Sequence, residues 1–211
     1  MPEVTPFDDH TARYDAWFER HQAAYLSEVL ALRAFVPWWG DGLEIGVGTG
    51  RFAAPLGLTI GVDPSRAMLA LAAVRGVKCV EGVAESLPFP DASFDHALVV
   101  TTLCFVESPT RMLVEARRVL KPGGALVMGF IDRESPIGQD YLARQAESVF
   151  YREATFFTAP EVEGLLRETG FSIHEWGQTL FRSLPETGAI EPLKIGRGHG
   201  AFVVVRATTR G

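Results

Sequence analysis

Cysteine is scarce in this chain of 211 residues: only Cys79 and Cys104 are present. Both fall in expected strands and read as buried thiols rather than as a disulfide or a metal pair. Basic tracts are missing too, and the net charge is −6. Tight binding to a phosphate backbone is therefore not expected, and no nucleic-acid partner is assigned. No apolar run approaches about 20 residues, so no membrane span is expected. The opening MPEVTPFDDH is acidic and lacks a signal-peptide core, which reads as cytoplasmic. Internal repeats, low-complexity tracts, a hydrolytic triad and a metal-ligand cluster are absent as well. What remains, 47% hydrophobic and 22% charged residues, is the balance of a soluble globular protein.

The stretch LEIGVGTGRF, Leu43 to Phe52, organises the rest. Leu43, Glu44 and Ile45 read as the end of a buried strand. Gly46, Gly48 and Gly50 allow a tight turn, and a helix starts after it. Such a turn brings backbone N–H groups against a polar ligand. A second apolar strand, Leu58 to Val62, ends in Asp63. An acid about twenty residues after the glycine turn's strand is placed to reach ribose hydroxyls. A glycine turn by itself can equally just pack a helix tightly on a sheet. Strand before, helix after and acid at the next strand end favour the ligand.

Along the chain, Thr11 to Val36 reads as helix, in one piece or two, with Tyr14, Trp17 and Phe18 and then Tyr25, Leu26, Val29 and Leu30 on its apolar stripe. Pro37 stops it. Pro64 and Ser65 open a helix closed by Gly76. Val77 to Val80 is a third strand, and Ala97 to Val106 an apolar run typical of a central parallel strand. Ser108 and Pro109 start a further helix, ended by Lys121-Pro122-Gly123-Gly124, and Ala125 to Ile131 is a fifth strand. Pro160 to Thr169 is helical, Phe171 to Trp176 and Ala201 to Val205 are strands, and Gln178 to Gly200 is a long connection. This alternation implies a parallel sheet with helices on both faces. Ligands in such sheets sit at the carboxyl ends of strands, where Glu44, Asp63, Ala84 and Thr101 converge.

With LEIGVGTGRF, GVDPS, VAESLPFPDASFD and RVLKPGG in view, the chain resembles a class I S-adenosylmethionine-dependent methyltransferase, of the small-molecule type related to the ubiquinone/menaquinone-biosynthesis enzymes. The likeness is strongest over residues 40 to 130. It implies an α/β, Rossmann-like, doubly wound sheet of seven strands in the order 3-2-1-4-5-7-6, the last antiparallel, with an N-terminal helical lid. One methyltransferase domain is expected: residues 1–37 as lid, 38–132 as cofactor-binding half, 133–211 as substrate-side half. The resemblance also implies site roles. The backbone of Gly46, Val47 and Gly48 approaches the methionine part of S-adenosyl-L-methionine, with Glu44 supporting the turn and the amino group. Asp63 accepts from the ribose hydroxyls. Pro64, Ser65 and Met68 flank the adenine, with Ala84 and Glu85 on its other side. Thr101 and Thr102 border the transferred methyl. Two positions depart from many relatives: Val83 stands where they carry aspartate, and Cys104 and Phe105 where they carry histidines.

Methyl transfer is an in-line displacement that needs alignment and exclusion of water more than an acid or base. No catalytic residue is assigned; His21 lies nearest the expected mouth, and His10, His96, His174 and His199 have no partner spacing. Tyr14, Trp17, Tyr141 and Tyr151 are expected on the substrate side, around a small-molecule acceptor. The alternatives are a nicotinamide-dependent oxidoreductase, whose GxGxxG differs from GVGTG by the place of its third glycine, and a non-catalytic binding protein. A monomer or homodimer is expected.

Overall fold

The computed structural model describes residues 5 to 209. The first four residues of the expected lid and the last two of the C-terminal segment lie outside them. The chain opens with three helices, α1 (Thr5–Asp9), α2 (Thr11–Arg20) and α3 (Gln22–Arg33). The helix expected over Thr11 to Val36 takes the two-piece form, broken at His21 and ending at Arg33, and a short helix that sequence pattern did not show precedes it. An alternating unit follows: β1 (Gly42–Ile45), α4 (Ala53–Leu56), β2 (Ile60–Asp63), α5 (Arg66–Val74), β3 (Lys78–Glu81), β4 (Phe94–Val100), α6 (Pro109–Val119) and β5 (Leu120–Ile131). The last third adds α7 (Pro136–Ala143), α8 (Ala159–Glu168), β6 (Phe171–Thr179), β7 (Lys194–Ile195) and β8 (Phe202–Thr209).

One sheet takes all the strands, in the order β3-β2-β1-β4-β5-β8-β6-β7. Pairing is parallel from β3 through β5, and β8 runs antiparallel between β5 and β6. Without β7 this is the expected order. The count is eight rather than seven because Lys194 and Ile195 pair with Gln178 and Gly177 at the sheet edge. Two residues carry no period that a sequence pattern could register.

Strand side chains alternate between two cores. On β4, Ala97 and Val99 pack on one face with Met112, Leu113 and Leu166 of α6 and α8. Leu98 and Val100 pack on the other with Leu32, Phe35 and Phe202. Burial on both faces explains the continuous apolar run. The run extends past the strand, however. The strand ends at Val100, because Thr101 has φ +50 and leaves the ladder, and Leu103–Phe105 forms a 3-10 turn. Cys104 therefore lies in that turn rather than in a strand, while Cys79 lies in β3; both are free thiols. Helix starts are capped locally: Ser65 accepts from the Met68 N–H, Ser108 from Arg111, and Thr158 with Glu161 forms a capping box. No helix among the described residues is long and apolar enough to cross a membrane.

Candidate active site

β1 and β4 are neighbours whose onward connections leave in opposite directions, so a crevice opens beyond their carboxyl ends. The glycine turn fills its floor. Gly46 has φ +72, and a Cβ there would stand 2.2 Å from Thr102 Oγ1. Only glycine allows both the left-handed backbone and this approach. The Gly46 and Val47 N–H groups donate to the Val62 carbonyl at 2.8 and 3.0 Å, which ties the turn to β2. The Thr102 hydroxyl lies 3.3 Å from the Ile45 and Gly46 carbonyls and braces the turn from the β4 side.

Two carboxyls face this turn. Glu44 is buried beneath it, 1% exposed. Burial raises its pKa well above the ordinary range, a hydrogen bond from the Ala53 N–H opposes that rise, and the nearby Asp63 adds to it. Its Oε2 is buried and has no partner among the described residues. Asp63 holds the loop ends together: its Oδ2 accepts from the Gly48 N–H and its Oδ1 from the Ser65 N–H, both at 2.9 Å. Burial lifts the Asp63 pKa; these two N–H groups work against the lift, and Asp8 reinforces it. A carboxylate offers about four acceptor positions, so each oxygen retains a lone pair for a ligand hydroxyl.

A cleft of about 90 Å³ runs over these groups. Gly46, Gly48, Asp63, Pro64, Ser65, Met68, Ala84, Glu85, Thr101 and Thr102 line it. Three residues expected at the cofactor lie behind the wall instead. Glu44 is under the turn. Val47, 3% exposed, packs against Gly61, where an added Cβ would meet it at 2.6 Å. Gly50 packs on Ala72 of α5. Glu85 also closes the loop ahead of α6, its Oε1 accepting from Glu107 N–H at 2.8 Å. Val83 pairs with Ser86 in an isolated bridge and is not on the cleft wall. The roof is made by Phe7 of α1 and Tyr14 of α2. α1 is fastened across the cleft by Ser65 Oγ donating to Asp8 Oδ1 at 2.5 Å. α2 is fastened more firmly, by Asp15 between Arg51 (2.7 Å) and Arg75 (2.8 Å).

A second cavity, of about 310 Å³, adjoins the first. Tyr14 and Thr101 line both. All four residues expected on the substrate side, Tyr14, Trp17, Tyr141 and Tyr151, line this cavity, together with Phe18, His21, Glu28, Phe52 and Phe150. Its walls are linked by ring contacts: Tyr141 to Tyr151 at 5.0 Å, Phe105 to Tyr151 at 5.5 Å, and Tyr14 to Phe150 at 5.6 Å. His21 stacks on Trp17 at 4.6 Å, and its Nδ1 lies 3.0 Å from the Trp17 carbonyl. Burial raises the pKa of the Tyr14, Tyr141 and Tyr151 hydroxyls, so they stay protonated at neutral pH. Burial likewise pushes the Cys104 thiol up to about 12, which disfavours its thiolate form. Asp132 caps the next turn, accepting from Glu134 and Ala159 N–H groups. The other histidines named from sequence lie elsewhere: His96 in β4 beneath Gly42, His174 against Thr208, His10 and His199 exposed.

Comparison with known proteins adds to this geometry. A methyltransferase-domain family model matches residues 43–128. A solved structure of an S-adenosylmethionine-dependent methyltransferase from Thermotoga maritima superposes with a TM-score of 0.96 at 49% identity, covering 98% of this chain and 100% of that one. The chain belongs to the class I S-adenosylmethionine-dependent methyltransferases. The Thermotoga methyltransferase is described as a possible histamine N-methyltransferase. An uncharacterised protein of Methanocaldococcus jannaschii is 44% identical over 95% of this chain and 97% of its own length. An uncharacterised protein of Mycobacterium tuberculosis is 42% identical over 82% of this chain, which spans 62% of that longer protein.

The methyltransferase cofactor is S-adenosyl-L-methionine, and the residues present fit it. The free lone pairs of Asp63 and the open space beside Gly48, where an added Cβ would meet only Tyr14 at 3.9 Å, are features that a sulfonium amino acid joined to a ribose would use. Sequence reasoning missed Phe7 and Glu28. Phe7 sits in a five-residue helix, too short for a periodic signal. Glu28 had a signal: an acid three residues after Tyr25 and four before Leu32, on the buried face of α3.

Proposed function

We propose that this methyltransferase transfers its methyl group by in-line displacement to a small-molecule acceptor held in the aromatic cavity. When bound, S-adenosylmethionine supplies an electrophilic methyl carbon attached to a sulfonium that leaves as a neutral thioether. The observation that carries the reading is the shared wall: Tyr14 and Thr101 border both the narrow cleft and the 310 Å³ cavity, so a donor in one meets an acceptor in the other. That volume suits a small molecule rather than a macromolecular surface.

In this reading Asp63 binds the ribose hydroxyls, and the Gly46–Gly48 backbone, supported from beneath by Glu44, orients the methionine part. Met68 and Pro64 lie on one side of the adenine and Ala84 on the other. Thr101 is held at φ +50 by its N–H bond to the Gly129 carbonyl at 2.8 Å, a conformation disfavoured for threonine. That backbone faces the junction of the cavities, where the methyl passes. The aromatic roof excludes water, and alignment does most of the remaining work. The Thermotoga relative's description supports a small acceptor here too.

Calorimetry with S-adenosylmethionine, S-adenosylhomocysteine and NAD, followed by a labelled-methyl transfer screen against metabolite pools, tests the reading. Binding of both sulfur nucleosides and label in a low-molecular-weight product are expected. NAD binding without either nucleoside would overturn it.

A further inference from the structure

We infer that Glu28 is the counter-charge for a basic nitrogen of the methyl acceptor, and that the acceptors are small amines. The inference rests on the methyltransferase reading and names the acceptor class of that site.

Glu28 projects from α3 into the aromatic cavity and is only 5% exposed. It has no hydrogen bond or ion pair with any described residue. The other buried acids differ in this respect. Glu44 takes the Ala53 N–H, Asp132 takes two N–H groups, and Glu191 takes the Phe181 N–H. A buried carboxyl without a partner is costly, and proteins keep one where a ligand completes it.

The surroundings select the partner. Tyr14, Tyr141 and Tyr151 line the cavity with their neutral hydroxyls, and aromatic rings attract a cation. The cations on this cavity, Arg13 and Arg20, are exposed and not paired with Glu28, so they do not neutralise it. His21 is turned to the Trp17 carbonyl through Nδ1. An acceptor with an acid near Glu28 would meet like charge. A neutral acceptor would leave the carboxyl half satisfied. With burial as the only influence on it, the Glu28 pKa is pushed up to about 8, and an ammonium beside it would favour its ionised form.

The test uses the full chain saturated with S-adenosylhomocysteine. 2-Phenylethylamine, tyramine and tryptamine are titrated calorimetrically against the alcohols of the same skeletons, 2-phenylethanol, tyrosol and tryptophol. At least one amine is expected to bind tenfold or more tightly than its alcohol. In Glu28→Gln that amine should weaken at least tenfold, while its alcohol and S-adenosylhomocysteine stay within twofold. Equal binding of every amine and its alcohol by the unmodified protein, or an amine preference that survives Glu28→Gln, would overturn the inference. Should Glu28→Gln fail to fold, Glu28→Met takes its place with the same expected loss of amine preference, and equal binding by the unmodified protein overturns the inference in either case. Failure to take up S-adenosylhomocysteine at all is seen before any amine is added, and it would overturn the methyltransferase assignment instead.

Discussion

At the scale of single residues, Asp63 has two duties that pull on different measurements. It fixes the Gly48 and Ser65 N–H groups, and it offers its remaining lone pairs to the cleft. Charge-assisted hydrogen bonds contribute about 1.5–3 kcal/mol each. Asp63→Ala should therefore weaken S-adenosylhomocysteine at least tenfold by calorimetry, and it should also lower the melting temperature, because two N–H groups lose their acceptor. Unchanged affinity would remove Asp63 from the ligand's contacts. Glu28 behaves in the opposite sense. Its folded pKa of about 8 lies above the ordinary carboxyl value, so the unfolded chain releases this proton first. Stability falls as pH rises from about 4.5 to 8, at up to about 1.4 kcal/mol per unit. Tyr14, Tyr141, Tyr151 and His21 share its cavity, and the tyrosines do not titrate in that window. Urea unfolding should show Glu28→Gln matching the unmodified protein near pH 4 and exceeding it by a few kcal/mol at pH 8.

Among the elements, the helices over the cleft divide their labour by residue. Phe18 of α2 is a core side chain, 5% exposed, with ring contacts to Tyr25 and Phe52 at 5.2 and 5.8 Å. Tyr14 and Trp17 are half-buried and face the cavity. Truncating a buried aromatic costs about 3–5 kcal/mol. Phe18→Ala should accordingly lose stability first. Tyr14→Ala should lose turnover with a smaller change in melting temperature, and a large drop with normal turnover per folded molecule would make Tyr14 core. α2 is also held by Asp15. Burial disfavours the charge on Asp15, yet hydrogen bonds from Arg51 and Arg75 outweigh burial and hold its pKa at about 2. Its contribution is thus complete above about pH 4 and lost as the pH falls through 2. Asp15→Asn should be less stable than the unmodified protein at pH 7 by about 1–2 kcal/mol, with the gap closing below pH 3. The sequence made much of this layout legible. The apolar run, the glycine turn and Asp63 each carried a local signal, and the N-cap at Ser108 was readable from its own hydroxyl and Pro109. The end of β4 was not, because nothing in a Thr-Thr pair announces that Thr101 turns left-handed. α1 and β7 were too short to show a period, and the isolation of Glu28 depends on residues distant in sequence.

Across the whole molecule, the strand order does the positioning. β1 and β2 supply the turn and Asp63, the turn after β4 supplies Thr101 and Thr102, and β8 inserts between β5 and β6 to complete the far side. The family model's match, residues 43–128, spans the strands of the narrow cleft. Much of the aromatic cavity comes from α2, α3 and residues 131–151, outside that match. The narrow cleft and the aromatic cavity thus draw on different stretches of chain. The bond between Asp8 and Ser65 has a consequence in time. α1 roofs a cleft of only about 90 Å³, and an exposed aspartate fastens it, next to the carboxylate of Asp63 whose pKa it raises. If a nucleoside occupies the cleft as proposed, opening of this latch is expected to set its residence time rather than bond-making. Release of the spent nucleoside is then expected to limit multiple turnovers, so mixing experiments should show a burst of one methylated product per site before the slower steady rate. Asp8→Ala should shorten the residence time of S-adenosylhomocysteine several-fold in stopped-flow displacement and raise the steady rate, while the burst rate stays the same.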